Sequence, residues 1–104
     1  MNMKNNQILL PPEQKILQEM GKNFKLARLR RDLAMSLICE RANVSRATLW
    51  KIENGDPSVS IGNYIAVAHA IGGFEKDFLK ICSDDFLGKT LTDLGIITKN
   101  RGKR

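Results

Sequence analysis

A chain of 104 residues holds one domain with short tails, and 42% hydrophobic against 27% charged residues is the balance of a globular protein with a modest core. No apolar run approaches the ~20 residues of a membrane span, and Ile8-Leu9-Leu10, closed at once by Pro11-Pro12, is too short for a secretory signal. The chain therefore reads as cytoplasmic, and its formal net charge of +6 points to a polyanionic partner.

Residues 1–11, polar and then briefly apolar, read as a flexible N-terminal arm. Pro12 fits the first turn of a helix, where the missing N–H is not needed. Beyond it Leu17, Met20, Phe24 and Ala27 recur at three- and four-residue steps and line one face. The first predicted helix runs to about Arg31 and tolerates Gly21 inside it at some cost.

A second helix is predicted over Met35–Ala42, with Ile38, Cys39 and Ala42 inward and Glu40 and Arg41 toward water. Asn43 suits the left-handed position that ends a helix. Ser45 then caps a third helix, its oxygen accepting an amide proton one turn ahead. That helix runs from Arg46 to about Asn54, with Leu49 and Ile52 inward, and Gly55 stops it.

Asp56-Pro57-Ser58 is turn chemistry. Ser60 can cap a fourth helix, where Ile61, Tyr64, Ile65, Ala68 and Ile71 form a stripe that ends at Gly72-Gly73. A fifth helix is expected over Glu75–Cys82, with Phe78, Leu79 and Cys82 apolar. Ser83 can cap a short sixth, Asp84–Leu94, that buries Phe86, Leu87, Leu91 and Leu94. Ile96-Ile97-Thr98 is the one plausible strand. The expected fold is all-α: a five-helix domain over residues 12–83, then a C-terminal helix and basic tail over residues 84–104.

Cys39 and Cys82 sit among apolar residues and read as buried, reduced thiols in preference to a disulfide or a metal pair. With His69 the single histidine and no CxxC, zinc would lack nearby ligands, and His69 follows the apolar stripe of its helix as a surface or boundary residue. No nucleophile–base pair, metal cluster or phosphate-cradling glycine loop stands out. No enzyme, cofactor or metal is expected.

The positive charge is concentrated in two places. Between Met20 and Gly55, Lys22, Lys25, Arg28, Arg30, Arg31, Arg41, Arg46 and Lys51 outnumber Asp32, Glu40 and Glu53. The last residues, TKNRGKR, add Lys99, Arg101, Lys103 and Arg104. The first of these regions holds a short helix, a turn of about three residues and a second helix with a basic, polar outer face. Such a second helix fits the DNA major groove. Leu49 and Ile52 inward leave Arg46, Ala47, Thr48, Trp50 and Lys51 outside. Arg46 can donate two parallel bonds to guanine, Ala47 can meet a thymine methyl, and Thr48 or Ser45 can donate to phosphate. Lys51 can reach a base or the backbone. For Trp50 two readings stand: packing on the sugar-phosphate backbone or thymine methyls, or folding back over the second helix or the GDPSVS loop.

VSRATLWKIENG, preceded by RRDLAMSLICERAN, resembles the XRE (Cro/phage-repressor) family of helix-turn-helix proteins. The resemblance spans about Met20–Gly73 and implies a phage-repressor-like DNA-binding fold. It implies an ion pair between Arg28 and Glu53 that sets the angle of the reading helix, and base-facing roles for Arg46, Ala47 and Lys51. It also implies that Asn54, with the amides at its end of that helix, holds a phosphate. Two residues depart from the family pattern. Ala34 replaces a capping hydroxyl, and Met35 stands at a phosphate-contacting glutamine position, so weaker clamping is expected with reading intact. The longer run through GDPSVSIGNY resembles a subgroup of HipB-like antitoxins encoded beside HipA-like kinase toxins. That implies a nucleoid-associated, dimeric autorepressor that binds double-stranded DNA and a toxin, or alternatively an interaction module acting mainly by neutralising the toxin. The basic tail is open to three readings: toxin contact, DNA-contacting arm or solubilising terminus. Phe78, Phe86, Leu87 and Leu91 are candidates for the dimer surface.

Overall fold

The computed structural model describes residues 8–96, which are helical with no strand among them. In chain order they form α1 (Pro11–Arg30), α2 (Met35–Ala42), α3 (Arg46–Glu53), α4 (Ile61–Gly72), a 3-10 helix (Glu75–Lys80) and α5 (Phe86–Asp93). The expected basic tail, most of the N-terminal arm and the strand residues Ile97-Thr98 lie outside the described residues.

Helix α1 begins at Pro11, one residue inside the segment expected as an arm. Both prolines occupy the first turn, where N–H groups have no intrahelical acceptor. The Glu13 carboxylate accepts the Leu10 N–H at 3.0 Å and closes that turn. As predicted, Leu17, Met20, Phe24 and Ala27 pack on the core.

Gly21 departs from its expected role. It is buried, and a Cβ there would lie 2.5 Å from the Ile52 carbonyl oxygen, 2.8 Å from the Gly55 nitrogen and 2.9 Å from the Glu53 oxygen. The glycine is therefore required, because α1 meets the end of α3 backbone to backbone. Gly55 answers from the other side: at φ +69° it is left-handed, and a Cβ there would stand 2.6 Å from the Gln18 Cα. Gln14 Nε2 also donates to the Gly55 carbonyl at 3.0 Å.

Ile38, Leu49, Ile52 and Val67 are completely enclosed, and Tyr64, Ala70 and Ile71 complete the core. Helix α2 packs on α4, and α1 packs on α3. The buried face of α4 is rotated from the predicted stripe. Tyr64, Val67, Ala68, Ala70 and Ile71 point inward, whereas Ile61 and Ile65 are exposed. Two apolar stripes overlap on this helix, and the positions of α1 and α2 select between them. Arg41 is exposed, as expected, and also reaches across from α2 to donate to the Ala70 carbonyl at 3.3 Å.

The turn after α3 is held from two sides. Asp56 Oδ1 accepts the Ser58 N–H at 2.8 Å, and this bond keeps the Asp56 carboxyl below its usual range. The Tyr64 hydroxyl donates to the Asp56 carbonyl at 2.8 Å, while Phe24 meets the Tyr64 ring edge-on with centroids 5.9 Å apart. Burial, with the Asp56 charge second, pushes the Tyr64 phenol up to about 12. The folded state thus holds this proton more tightly than the unfolded chain. Its contribution is whole below the ordinary tyrosine pKa of about 10 and is lost as pH rises toward about 12. Tyr64→Phe is expected to lose about 1 kcal/mol of stability in urea unfolding at neutral pH and to lessen the alkaline loss.

The chain after Gly73 diverges most from expectation. Gly73 is left-handed at φ 77° and ends α4. The predicted fifth helix is a six-residue 3-10 helix that stops at Lys80, because Ile81 turns extended and Cys82 is left-handed at φ 61°. Phe78 packs on the core, but Leu79 and Cys82 are exposed. Cys82 is thus no buried thiol, whereas Cys39 is half-buried; neither forms a disulfide. Asp85 caps α5 in place of Ser83, accepting the Gly88 N–H at 3.0 Å, and the Ser83 hydroxyl instead donates to the Lys80 carbonyl. Phe86 (79% exposed), Leu87 and Leu94 are not buried as predicted, and Leu91 is half-buried. Among the described residues no neighbouring helix covers them. His69 is exposed, as predicted, with Nδ1 3.1 Å from Glu75 Oε2. Among the described residues no helix is long and apolar enough to cross a membrane.

Candidate nucleic-acid interface

The turn between α2 and α3 is built by local chemistry. Asn43 sits at φ 56°, ψ 49°, in the left-handed region that asparagine tolerates better than most residues. Its N–H and that of Val44 both donate to the Cys39 carbonyl, the latter at 3.1 Å. Ser45 is extended and accepts the Thr48 N–H at 3.0 Å, so α3 starts at a defined place and angle. The Ser45 hydroxyl proton goes to Thr48 Oγ1, also at 3.0 Å. Of the two hydroxyls, Thr48 is the one with a proton left for a partner.

Along α3, Leu49, Ile52 and Glu53 are buried, while Arg46, Ala47, Trp50, Lys51 and Asn54 are exposed. The exposed residues recur at steps of one, three, one and three, which places them on a single face. Trp50 is 60% exposed and does not fold back over α2 or the following loop. Arg46 and Lys51 form no ion pair among the described residues, although Lys51 lies near enough to help lower the Asp56 carboxyl. The face is basic, polar and uncovered.

Behind it lies a buried charge pair. Arg28 Nε donates to Glu53 Oε2 at 2.7 Å and Nη2 to Oε1 at 3.2 Å, with the two residues only 6% and 8% exposed. The third nitrogen, Nη1, donates to the Leu33 carbonyl at 3.0 Å. One guanidinium thereby joins α1, the α1–α2 connection and α3. Such a two-bond fork fixes orientation as well as distance.

Asn54 is tied to its own helix. The Asn54 side-chain amide donates to the Trp50 carbonyl at 2.8 Å. The backbone N–H groups of Asn54, Gly55 and Asp56 are all bonded to carbonyls of α3. These backbone amides are already bonded and the helix presents its negative pole there, which leaves the second N–H of the exposed Asn54 side-chain amide as the donor at that end. Met35 is half-buried and packs on the core, and Ala34 contributes no side-chain cap. The first turn of α2 is left with backbone amides and the exposed Ser36. Ser36 is a donor that sequence reasoning passed over; its polar side chain next to an uncapped helix start was the available signal.

No group of three or more His, Cys, Asp or Glu residues could hold a metal ion among the described residues. Compared with known proteins, the chain matches no family model, no curated protein and no solved structure.

Proposed function

We propose that this chain is a sequence-specific DNA-binding transcriptional regulator, a dimeric repressor that lays α3 in the major groove of a palindromic operator. The observation that carries the reading is the uncovered stripe of Arg46, Ala47, Trp50, Lys51 and Asn54 on a helix braced from behind by the Arg28–Glu53 fork. A helix about 10–12 Å across fits a major groove about 12 Å wide, and its first-turn residues come closest to the base edges. In this reading Arg46 pairs with a guanine and Ala47 touches a thymine methyl. Thr48 donates to phosphate, Trp50 packs on sugar or thymine methyl, and Lys51 extends the contact to a base or phosphate. A phosphate can also approach the first-turn amides of α2 and the Ser36 hydroxyl, since a helix N-terminus favours an anion.

Two copies would set their α3 helices about one DNA turn, ~34 Å, apart. The antitoxin-like resemblance points to autorepression, so the duplex upstream of the protein's own gene is the first to test. Selection from a random-sequence duplex library should yield an inverted repeat, and its affinity should fall steeply with salt as phosphate contacts release counterions. Arg46→Ala is expected to lose about 1–3 kcal/mol of discrimination at one base pair per half-site. Titrating the selected and scrambled duplexes checks this. A variant that discriminates as well as the parent would remove Arg46 from the reading face.

A further inference from the structure

Beside the core, on the flank of α1, the 3-10 helix leaves an open groove of about 450 Å³. Its walls are Met20, Phe24 and Ala27 from α1 and Phe74, Phe78 and Ile81 from the 3-10 region. Just past it, α5 carries Leu87, Leu91 and Leu94 at four- and three-residue steps, flanked by Phe86, and these form one apolar stripe. Leu87 and Leu94 are both 68% exposed, and among the described residues α5 makes no substantial contact with another helix. An apolar groove and an apolar helix, neither covered by the described residues, thus belong to the same molecule. Each is too small to mark a binding site alone, but together they form a complementary pair of apolar surfaces.

We propose that the groove receives α5 from a second copy of the chain, so that two copies exchange their C-terminal helices. This rests on the dimeric reading above and names the surface that reading lacks. Two observations favour exchange over a helix folding back on its own groove. Directly after the groove-lining Ile81, Cys82 is left-handed at φ 61°, and both the N–H and the hydroxyl of Ser83 donate to the Lys80 carbonyl, at 3.1 and 2.9 Å. This tight turn leads α5 away, and α5 lines no part of its own groove. Charge also agrees. Arg30 lines the groove, Arg31 stands over the Phe74 ring at 5.1 Å, and Lys80 is exposed nearby, against Asp77. Helix α5, its cap Asp85 and the preceding residue Asp84 carry three carboxylates, with Asp93, against the single cation Lys89.

The arrangement closes on itself. Each copy gives one helix and offers one groove, so a twofold pair satisfies both and leaves nothing open for a third copy. It also leaves the DNA face free. On α1, Gly21 and Arg28 face α3, and at 3.6 residues per turn Ala27 and Met20 lie about a quarter to a third of a turn round the helix from them. The exchange and the reading helix therefore use different sides of α1.

Leu87→Glu spoils the helix and Ile81→Glu the groove rim, and both positions are 68% exposed, so the fold should survive, as circular dichroism would verify. In sedimentation equilibrium of the full chain, each variant alone is expected to associate about 10-fold or more weakly than the parent. Mixed together, they should form a heterodimer tighter than either variant with itself, because the Ile81→Glu copy keeps a good helix and the Leu87→Glu copy a good groove. A parent that is monomeric at every concentration overturns the proposal and leaves the groove to a different partner. A dimer indifferent to Leu87→Glu overturns it too. If Ile81→Glu dimerises as the parent does, α5 pairs with α5 and there is no exchange. Binding of monomeric Leu87→Glu to a single selected half-site, compared with Arg46→Ala in the same background, reads the DNA function separately, so either reading can fail alone.

Discussion

Glu53→Gln is expected to destabilise the protein by about 3–5 kcal/mol, because it leaves the Arg28 guanidinium charged and unpaired beneath the surface. Glu53 accepts two of the three bonds that Arg28 makes, and neither residue has the solvent exposure to rehydrate in place. A domain of this size has about 5–15 kcal/mol of stability in total, so the variant would sit close to its unfolding threshold at ordinary temperature. Urea unfolding should show a midpoint shift at unchanged slope. The double replacement Arg28→Met, Glu53→Leu separates charge burial from packing. If desolvated charge is the cause, the pair of apolar side chains should recover most of the loss. Recovery of stability without recovery of DNA discrimination would identify the fork as the device that aims α3. A loss below about 1 kcal/mol for Glu53→Gln would put the pair in the class of surface ion pairs and sink that role.

Gly21→Ala is expected to destabilise by about 1–3 kcal/mol, the reverse of what the substitution does in an ordinary helix interior, where it gains about 1 kcal/mol. The reason is the contact with α3. The added methyl would meet the Ile52 oxygen at 2.5 Å and the Gly55 nitrogen at 2.8 Å, and these are backbone atoms that no side-chain rotation can move aside. Relief requires α1 to stand off from α3, which stretches the Arg28–Glu53 fork and tilts the exposed face of α3. A thermal melt decides the sign, at about 4–8 °C for each kcal/mol in a domain of this size. A raised melting temperature would mean that α1 and α3 are not in backbone contact. Because Gly21 and Arg28 brace the same helix, the Gly21→Ala and Glu53→Gln losses should not add.

The parts of the molecule legible in the sequence are those whose cause lies within one turn of chain. Asn43 in the left-handed region, Ser45 and Ser60 as caps and Gly73 as the stop of α4 were each readable, because capping bonds and positive φ involve neighbours a few residues apart. The inward Ile38, Leu49 and Ile52 were readable from periodicity. The exposed stripe on α3 follows as its complement. The Arg28–Glu53 pair joins residues 25 apart in sequence and was reached through resemblance, since no local pattern links them.

Local signals in the chain thus set the bounds of α2, α3 and α4, though not of the elements after Gly73, together with the helical fold and the face of α3 that stays exposed. Only the tertiary structure decided which apolar stripe of α4 is covered, that Gly21 is a contact point and not a tolerated flaw, and that Arg41 is spent on the Ala70 carbonyl. It also decided that Phe86, Leu87 and Leu94 have no cover among the described residues of one copy. The physical reason is the same in each case. Periodicity says that an apolar face exists, but burial needs a second surface, and its position depends on packing between segments far apart in the chain.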